Sequence, residues 1–169
     1  MSKTILFILP FRIFRDEEYA DPKAVFEHAG YHVITASSRM GIAEGKLGMK
    51  TPVDITIENI KVDDYDAVLF IGGSGCREYF NNPIAQKIAQ ETLQQNKILG
   101  AICAAPEILA NAGVLQGKKA TMYADTGCLA KGGATYTGKD VEVDGRIITA
   151  TGPKTAKLWA EMIVKALNK

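Results

Sequence analysis

Five short apolar runs, most of them rich in β-branched residues, constrain the fold of this chain more than any other feature. They lie at 4–9, 33–36, 67–71, 98–102 and 147–150. Because polar residues do not alternate regularly within them, these runs are typical of strands buried on both faces, as in a parallel sheet that helices cover. The chain is therefore expected to build its core around such a sheet.

Helical signals separate the apolar runs. An Asp-Pro pair at 21–22 predicts the start of a helix that ends at Gly30, and an Asn-Pro pair at 82–83 predicts a second helix. Segment 154–167 has apolar residues on one stripe and predicts a third. Alternating strands and helices indicate an α/β fold, a three-layer α/β/α sandwich with a flavodoxin-like, mostly parallel sheet.

Two stretches depart from this alternation. Segment 41–57 alternates weakly around two glycines and predicts a small β-hairpin excursion. Segment 141–148 predicts a second hairpin, with the Asp-Gly pair at 144–145 as its turn. Because the sequence shows no internal repeat, low-complexity tract or linker, we expect one domain over residues 1–169.

Composition and charge exclude several classes of protein. With 169 residues, 47% of them hydrophobic, the chain can bury a full core without metal or disulfide staples. Its 20 Lys and Arg residues balance 19 Asp and Glu residues, and the net charge of +1 argues against nucleic acid or an anionic membrane as partner. The N-terminal apolar run is too short for a secretory signal or a membrane span. Three cysteines without the spacing of a secreted scaffold indicate a reducing cytoplasm.

The most informative segment surrounds Cys103. A buried run ends at this cysteine, and Pro106 then marks the first turn of a helix. Ala101 and Ala105 give the pattern Ala-x-Cys-x-Ala, whose small flanking residues suit a nucleophile on a sharp strand-to-helix turn. The free N–H groups of such a helix favour a thiolate. The alternative is a small buried cysteine that only packs at the end of a strand.

A second buried run ends in the sequence Gly-Gly-Ser-Gly at 72–75. At the carboxyl end of a parallel strand, such a loop lets backbone N–H groups approach a ligand closely. A glycine-rich tight turn without function is the other interpretation. The loop lacks the lysine of a phosphate-binding loop and the spacing of a dinucleotide-binding loop, so neither ligand is predicted.

Three motifs together resemble the ThiJ/PfpI family, whose fold is similar to that of class I glutamine amidotransferases. They are Ile-Cys-Ala-Ala-Pro at 102–106, Gly-Gly at 72–73, and the acidic pair at 17–18 before Pro22. The family includes the parkinsonism-associated protein deglycase and archaeal intracellular proteases, and the resemblance covers essentially the whole chain.

The resemblance implies a set of site residues. Cys103 would be the reactive cysteine, and Glu18 would place a carboxyl group against its sulfur, with Glu17 as the alternative. A protonated carboxyl group there would donate a hydrogen bond to the thiolate and to its oxidised forms. The backbone amides of Gly73 and Ala104 would form an oxyanion pocket.

Three further residues are candidates for the pocket. Gly72 belongs to the glycine loop, and Tyr123 stands where the deglycase branch has a pocket histidine. Arg15, like Arg12, either lines the pocket mouth and attracts anionic substrates or belongs to a solvated charged loop. No metal and no cofactor are expected, because the cysteines are dispersed and no histidine ligand lies near them.

The histidines distinguish this chain from the protease branch, which carries a histidine directly after the cysteine. Here that position is Ala104. The strand directions place His28 and His32, the two histidines of the sequence, at the opposite end of the sheet. A Cys-His dyad is therefore not expected, and proton transfer falls to Glu18, water or the thiol itself.

These observations leave three hypotheses. The first is a cofactor-independent cysteine enzyme of the glyoxalase or deglycase kind, acting on a small carbonyl compound or a glycated substrate. The second is a non-enzymatic stress-response or chaperone-like protein with an oxidisable Cys103. The third is an intracellular cysteine peptidase. A homodimer or larger homo-oligomer is expected in each case. Cys76 is expected to be an exposed or packing thiol, with a place near Cys103 or at a subunit contact as the alternatives, and Cys128 is expected to be structural.

Overall fold

The apolar runs form the centre of a seven-stranded sheet in the computed structural model, which describes residues 2–169. The strands are, in chain order, β1 (Thr4–Ile8), β2 (Arg12–Phe14), β3 (His32–Ser37), β4 (Gly41–Gly45), β5 (Lys50–Val53), β6 (Ile55–Thr56), β7 (Ala67–Phe70), β8 (Ile98–Ile102), β9 (Lys119–Ala120), β10 (Thr135–Tyr136), β11 (Val141–Asp144) and β12 (Ile147–Ala150). The helices are α1 (Asp16–His28), α2 (Pro83–Gln94), α3 (Pro106–Asn111), α4 (Cys128–Lys131) and α5 (Ala156–Leu167).

The predicted mostly parallel α/β architecture is confirmed. The strand order is β11-β12-β8-β7-β1-β3-β6, and every neighbouring pair is parallel except β11 and β12. Successive residues of β1 point to opposite faces: Ile5 and Phe7 pack in the cluster with α1 and α5, and Leu6 and Ile8 in the cluster with α2 and α3. Helices therefore cover both faces of the sheet.

Parallel strands bring three loops to one edge of the sheet. Gly72 follows β7, Cys103 follows β8, and Thr151 follows β12, each just beyond the carboxyl end of its strand. In open α/β sheets this edge is where ligands bind. The fold thus places the glycine loop beside the cysteine turn, although about thirty residues separate them in the chain.

The first helix begins earlier than the Asp-Pro pair predicts. Helix α1 starts at Asp16, and Pro22 lies inside it. Proline costs stability in a helix because it lacks the N–H that would bond to the carbonyl four residues earlier. Three acidic residues in the first turn favour the positive helix end, and Tyr19 and Phe26 are buried against the sheet. These contacts outweigh the local proline signal, so Glu18 lies on a helix.

The two irregular stretches form hairpins, with differences in detail. Strands β4 and β5 make the predicted excursion, and β2, which the sequence did not indicate, pairs with β4 to complete a small three-stranded sheet. In the second hairpin Asp144 pairs with Ile147, so the two-residue turn is Gly145-Arg146 rather than Asp144-Gly145. Asp144 instead accepts a hydrogen bond from the Lys119 N–H.

Across residues 2–169, no helix combines the length and apolarity needed to span a membrane.

Helix α2 begins where the Asn-Pro pair predicts. Asn82 Oδ1 accepts hydrogen bonds from the backbone N–H groups of Ile84 and Ala85 at 2.9 and 3.1 Å.

We expect Asn82→Ala to lower the free energy of unfolding by about 1 kcal/mol, because it leaves helix-end N–H groups without a partner. Urea denaturation measures this change. Asn82→Asp is the matched control and should unfold like the wild type, since Asp caps as well as Asn; an equal loss in both variants would contradict the capping role.

Candidate active site

Cys103 adopts the strained backbone expected of a nucleophile elbow. Its φ is 65°, a left-handed conformation that is uncommon for a residue with a side chain. Its N–H donates to the Ala150 carbonyl at 2.9 Å, and its carbonyl accepts from the Tyr123 N–H at 2.9 Å. Ala101 and Ala105 are fully buried on either side. The turn is therefore held in place by β12 and by the segment after β9.

Positions 72 and 73 must both be glycine, because neighbouring atoms lie too close to leave room for a side chain. A Cβ atom at Gly72 would lie 2.5 Å from Glu18 Oε2 and 2.7 Å from Cys103 Cβ, so no side chain fits between the carboxyl group and the cysteine. Gly73 has a φ of 97°, and a Cβ atom there would lie 2.6 Å from the Arg15 nitrogen. A simple tight turn would not explain two such positions.

The acidic cluster at the start of α1 divides into three separate contacts. Asp16 accepts hydrogen bonds from the N–H groups of Leu47 and Met49 at 2.9 and 2.8 Å and so holds the β4–β5 turn. Glu17 accepts two hydrogen bonds from the Arg15 guanidinium group, at 2.8 and 3.1 Å. Glu18 accepts from the Gly72 N–H at 3.0 Å. The carboxyl group beside Cys103 is therefore that of Glu18, while Glu17 faces Arg15.

Burial dominates the protonation of Glu18. The residue is 0% exposed, and desolvation raises the pKa of its carboxyl group to about 7 despite hydrogen bonding to Cys103 and to the Gly72 N–H. Oε1 has no hydrogen-bond partner of good geometry within residues 2–169, although the carboxyl group as a whole interacts with the Cys103 thiol. A protonated Oε1 would resolve this unsatisfied atom by donating towards the sulfur.

Cys103 and Glu18 titrate as a pair. Burial, followed by the charge of Glu18, raises the pKa of the Cys103 thiol to about 12, whereas the backbone N–H groups of Gly73 and Ala104 lower it. When Glu18 is protonated, its charge no longer opposes the thiolate and its O–H can donate to the sulfur. A proton on Glu18 therefore favours the reactive form of Cys103.

These groups open onto a cleft of about 750 Å³. Six of the predicted site residues line it: Arg15, Glu18, Gly73, Cys103, Ala104 and Tyr123. Gly72 and Glu17 do not line it; they lie behind the lining as the hydrogen-bond partners of Glu18 and Arg15. Arg12 also lies outside it and forms an exposed ion pair with Glu44 at 3.0 Å.

Three cationic residues of the cleft were missed by the sequence interpretation. Lys46, Arg77 and Lys154 come from the β4–β5 turn, the turn after the glycine loop, and the turn before α5. Locally each reads as an ordinary loop cation. No local signal marks them as site residues, because only the folded chain brings the three turns together.

Both histidines, and the two cysteines other than Cys103, lie outside the cleft lining. His28 ends α1 and His32 begins β3, so within residues 2–169 the cleft has no histidine. Cys76 is fully buried, and burial raises the pKa of its thiol, with the neighbouring Cys103 as the second cause. Cys128 packs with its sulfur 3.5 Å from the Met122 sulfur. In this described part of the chain no group of three or more His, Cys, Asp and Glu residues is placed to hold a metal ion.

Comparison with known proteins agrees with this geometry. The DJ-1/PfpI family profile matches residues 3–166, and the chain belongs to this family. An uncharacterized protein of Methanocaldococcus jannaschii is 41% identical over 99% of the chain and 83% of its own length. The deglycase PfpI of Pyrococcus furiosus is 31% identical over 92% of the chain and 94% of its length.

Two further relatives extend the comparison. A glutathione-independent glyoxalase of Caenorhabditis elegans is 26% identical over 99% of the chain and 90% of its own length. The crystal structure of a ThiJ/PfpI domain protein from Brachyspira murdochii superposes with a TM-score of 0.96 at 34% identity, covering 99% of this chain and 97% of that one. Fold and family therefore agree with the resemblance found in the sequence motifs.

The coupling of Glu18 to Cys103 predicts an unusual pH profile for alkylation of Cys103 by iodoacetamide. The pair loses its first proton near pH 7 and its second only near 12. The rate should rise up to about pH 7 and then level off to about pH 9, where an ordinary thiol would still be gaining reactivity. Peptide mass spectrometry of Cys103 gives the rate.

Two variants test this coupling. Glu18→Gln should remove the break near pH 7, since only one titrating group remains. Glu17→Gln makes the same change one residue away and should keep the break. A wild-type rate that rises about tenfold per pH unit from about 7 to about 9 would show that the two groups do not titrate together.

Proposed function

We propose that this protein is a cofactor-independent cysteine enzyme that acts on reactive carbonyl compounds, in the manner of a glyoxalase or deglycase. The observation that carries the proposal is the buried Glu18 carboxyl group against the sulfur of an elbow cysteine. Relatives named as a deglycase and a glyoxalase support the same substrate class. Cys103 is the proposed nucleophile, Glu18 the acid and base.

The first step is addition to an aldehyde. Glu18 takes the thiol proton of Cys103 as the sulfur forms a bond to the aldehyde carbon, and the carbonyl oxygen then takes this proton from Glu18, which gives a hemithioacetal and leaves Glu18 a carboxylate. The N–H groups of Gly73 and Ala104, which already interact with the sulfur, would stabilise the negative charge that develops on the oxygen. A pKa near 7 suits a group that must both give and take a proton at neutral pH.

The second stage is an internal redox exchange that needs no external oxidant. In a 2-oxo aldehyde, Glu18, now a carboxylate, removes the C–H proton of the former aldehyde carbon and returns it to the adjacent ketone carbon. The hydroxyl proton of the hemithioacetal passes to the former ketone oxygen. A 2-hydroxy thioester results, and water hydrolyses it to a 2-hydroxy acid and the free Cys103 thiol. One carbon is oxidised and its neighbour reduced, so the electrons balance.

Hydrolysis of peptide bonds is poorly supported by this site. Stable amides need a general acid to protonate the leaving nitrogen and a base to activate the thiol, and a histidine commonly does both. Ala104 occupies the position after the cysteine, and neither His28 nor His32 lines the cleft. Addition to an activated aldehyde requires only Cys103 and Glu18.

A second candidate function rests on the same carboxyl group. A protonated Glu18 is placed to donate a hydrogen bond to a sulfinate at Cys103, and this contact would stabilise the oxidised cysteine. The protein would then be a peroxide-sensitive stress protein in place of a carbonyl enzyme. Assembly into a homodimer or larger oligomer and residence in the cytoplasm belong to both proposals.

Turnover of methylglyoxal by the purified protein tests the first function. We expect conversion to lactate without added cofactor, complete loss in Cys103→Ala, and a loss of about 10²-fold or more in kcat for Glu18→Gln, because the proton donor and acceptor is removed. Enzymatic assay of lactate measures the product. Cys128→Ser is the control, since Cys128 lies outside the cleft lining, and it should turn over like the wild type.

Two outcomes would reject the carbonyl enzyme. If the wild type and Cys103→Ala produce lactate equally, the reaction does not use this site. If the wild type is inactive but mild peroxide adds two oxygen atoms to Cys103 by intact mass, the redox function replaces it. Cleavage of casein that Cys103→Ser abolishes would instead support a peptidase.

A further inference from the structure

The cleft around Cys103 carries much more positive charge than the protein as a whole. The chain has a net charge of +1, from 20 cationic and 19 acidic residues. Yet among residues 2–169 four cations line this one cleft, Arg15, Lys46, Arg77 and Lys154, and they share it with a single carboxyl group, that of Glu18. Clefts lined by one sign of charge raise the local concentration of ligands of the opposite sign.

Three of these cations have no compensating partner in the part of the chain that the structure describes. Arg15 is paired with Glu17 at 2.8 Å, and most of its charge is balanced. Within residues 2–169, Lys46, Arg77 and Lys154 form no ion pair and donate no side-chain hydrogen bond, although several cations elsewhere on the surface do form ion pairs. The Glu18 side chain is fully buried, so its carboxyl group does not form an ion pair with these three cations at the surface of the cleft.

The backbone under two of these cations is fixed by hydrogen bonds. The Lys46 N–H donates to the Phe14 carbonyl at 2.8 Å. The N–H groups of Leu47 and Met49, which follow Lys46 in the same turn, donate to the Asp16 carboxylate. Lys154 lies in a turn in which the Thr155 N–H donates to the Gly152 carbonyl at 3.0 Å. The backbone of both turns is therefore held by hydrogen bonds, which fixes where the two cationic side chains begin.

Arg77 is attached to the oxyanion side of the cleft. It follows Cys76, whose N–H donates to the carbonyl of Gly73 at 3.1 Å, and Gly73 directs its own N–H towards the Cys103 sulfur. The three uncompensated cations thus come from three different turns around the same sulfur. A substrate with its carbonyl carbon at Cys103 would present the rest of its structure to them.

We propose that the preferred substrate is an anionic 2-oxo aldehyde, with a carboxylate or phosphate group held by Lys46, Arg77 and Lys154 while its aldehyde reacts at Cys103. This inference rests on the proposed function for its reacting group, but the anion selectivity of the cleft is a separate property. Neutral aldehydes of the same size use only the cysteine end of the site.

Two alkylating agents of nearly equal size test the anion selectivity without any turnover. Iodoacetate is anionic and iodoacetamide is neutral, and both alkylate a thiol. The ratio of their rates at Cys103, divided by the same ratio for 2-mercaptoethanol, isolates the effect of the cleft. We expect this normalised ratio to be about tenfold or more above one at low salt and to fall towards one at about 0.5 M salt.

Single charge removals identify the residues that carry the effect. Lys46→Gln, Arg77→Gln and Lys154→Gln should each lower the normalised ratio roughly threefold. Lys87→Gln removes the same charge from α2, outside the cleft, and should leave the ratio unchanged. A wild-type ratio at or below one, or an equal fall in Lys87→Gln, overturns the proposal.

A pair of substrates then separates this inference from the proposed function. The substrate 4,5-dioxopentanoate carries a 2-oxo aldehyde and a carboxylate, and its methyl ester lacks the charge. We expect kcat/KM to be about tenfold higher for the acid. If acid and ester are converted equally and alkylation shows no selectivity, the anion site is wrong and the carbonyl enzyme stands. If alkylation is selective but neither compound is converted, the anion site stands and the proposed function is wrong.

Discussion

The close approach of Glu18 to Cys103 across Gly72 is the constraint on which the rest of the site depends. Gly72 donates its N–H to the carboxyl group and, having no Cβ, leaves the two side chains room to meet. This contact requires α1 to begin at Asp16, so that Glu18 lies on its first turn, and requires the left-handed turn at Cys103. Fold, glycine loop and cysteine elbow are thereby tied to one carboxyl group.

That carboxyl group costs stability. Burial raises the pKa of Glu18 from 4.5 to about 7, so the folded state holds the proton more tightly than the unfolded state. This difference does not affect the free energy of unfolding below about pH 4.5. Between pH 4.5 and 7 it lowers the free energy of unfolding progressively, and above pH 7 the loss is about 3 kcal/mol. A buried acid with this cost is typical of functional sites, where stability is lost in favour of a tuned proton donor.

The sequence predicted the central sheet and the elbow well, because both are local patterns. Apolar runs indicate buried strands, and Ala101 and Ala105 around Cys103 indicate the sharp turn. The start of α1 was predicted wrongly because Pro22 is a strong local signal that tertiary burial overrides. The cluster of Lys46, Arg77 and Lys154 could not be predicted, since only the folded chain brings three distant turns to one cleft.

The proposed chemistry of Cys103 depends on the protonation of Glu18, which can be measured directly. Carbon-13 NMR of the Glu18 side-chain carboxyl carbon, assigned by comparison with Glu18→Gln, follows its titration in the intact protein. We expect a midpoint near pH 7, far above the ordinary value of 4.5. A midpoint at or below 4.5 would show that Glu18 is a plain carboxylate at neutral pH, and the proposed proton donor to Cys103 would not exist.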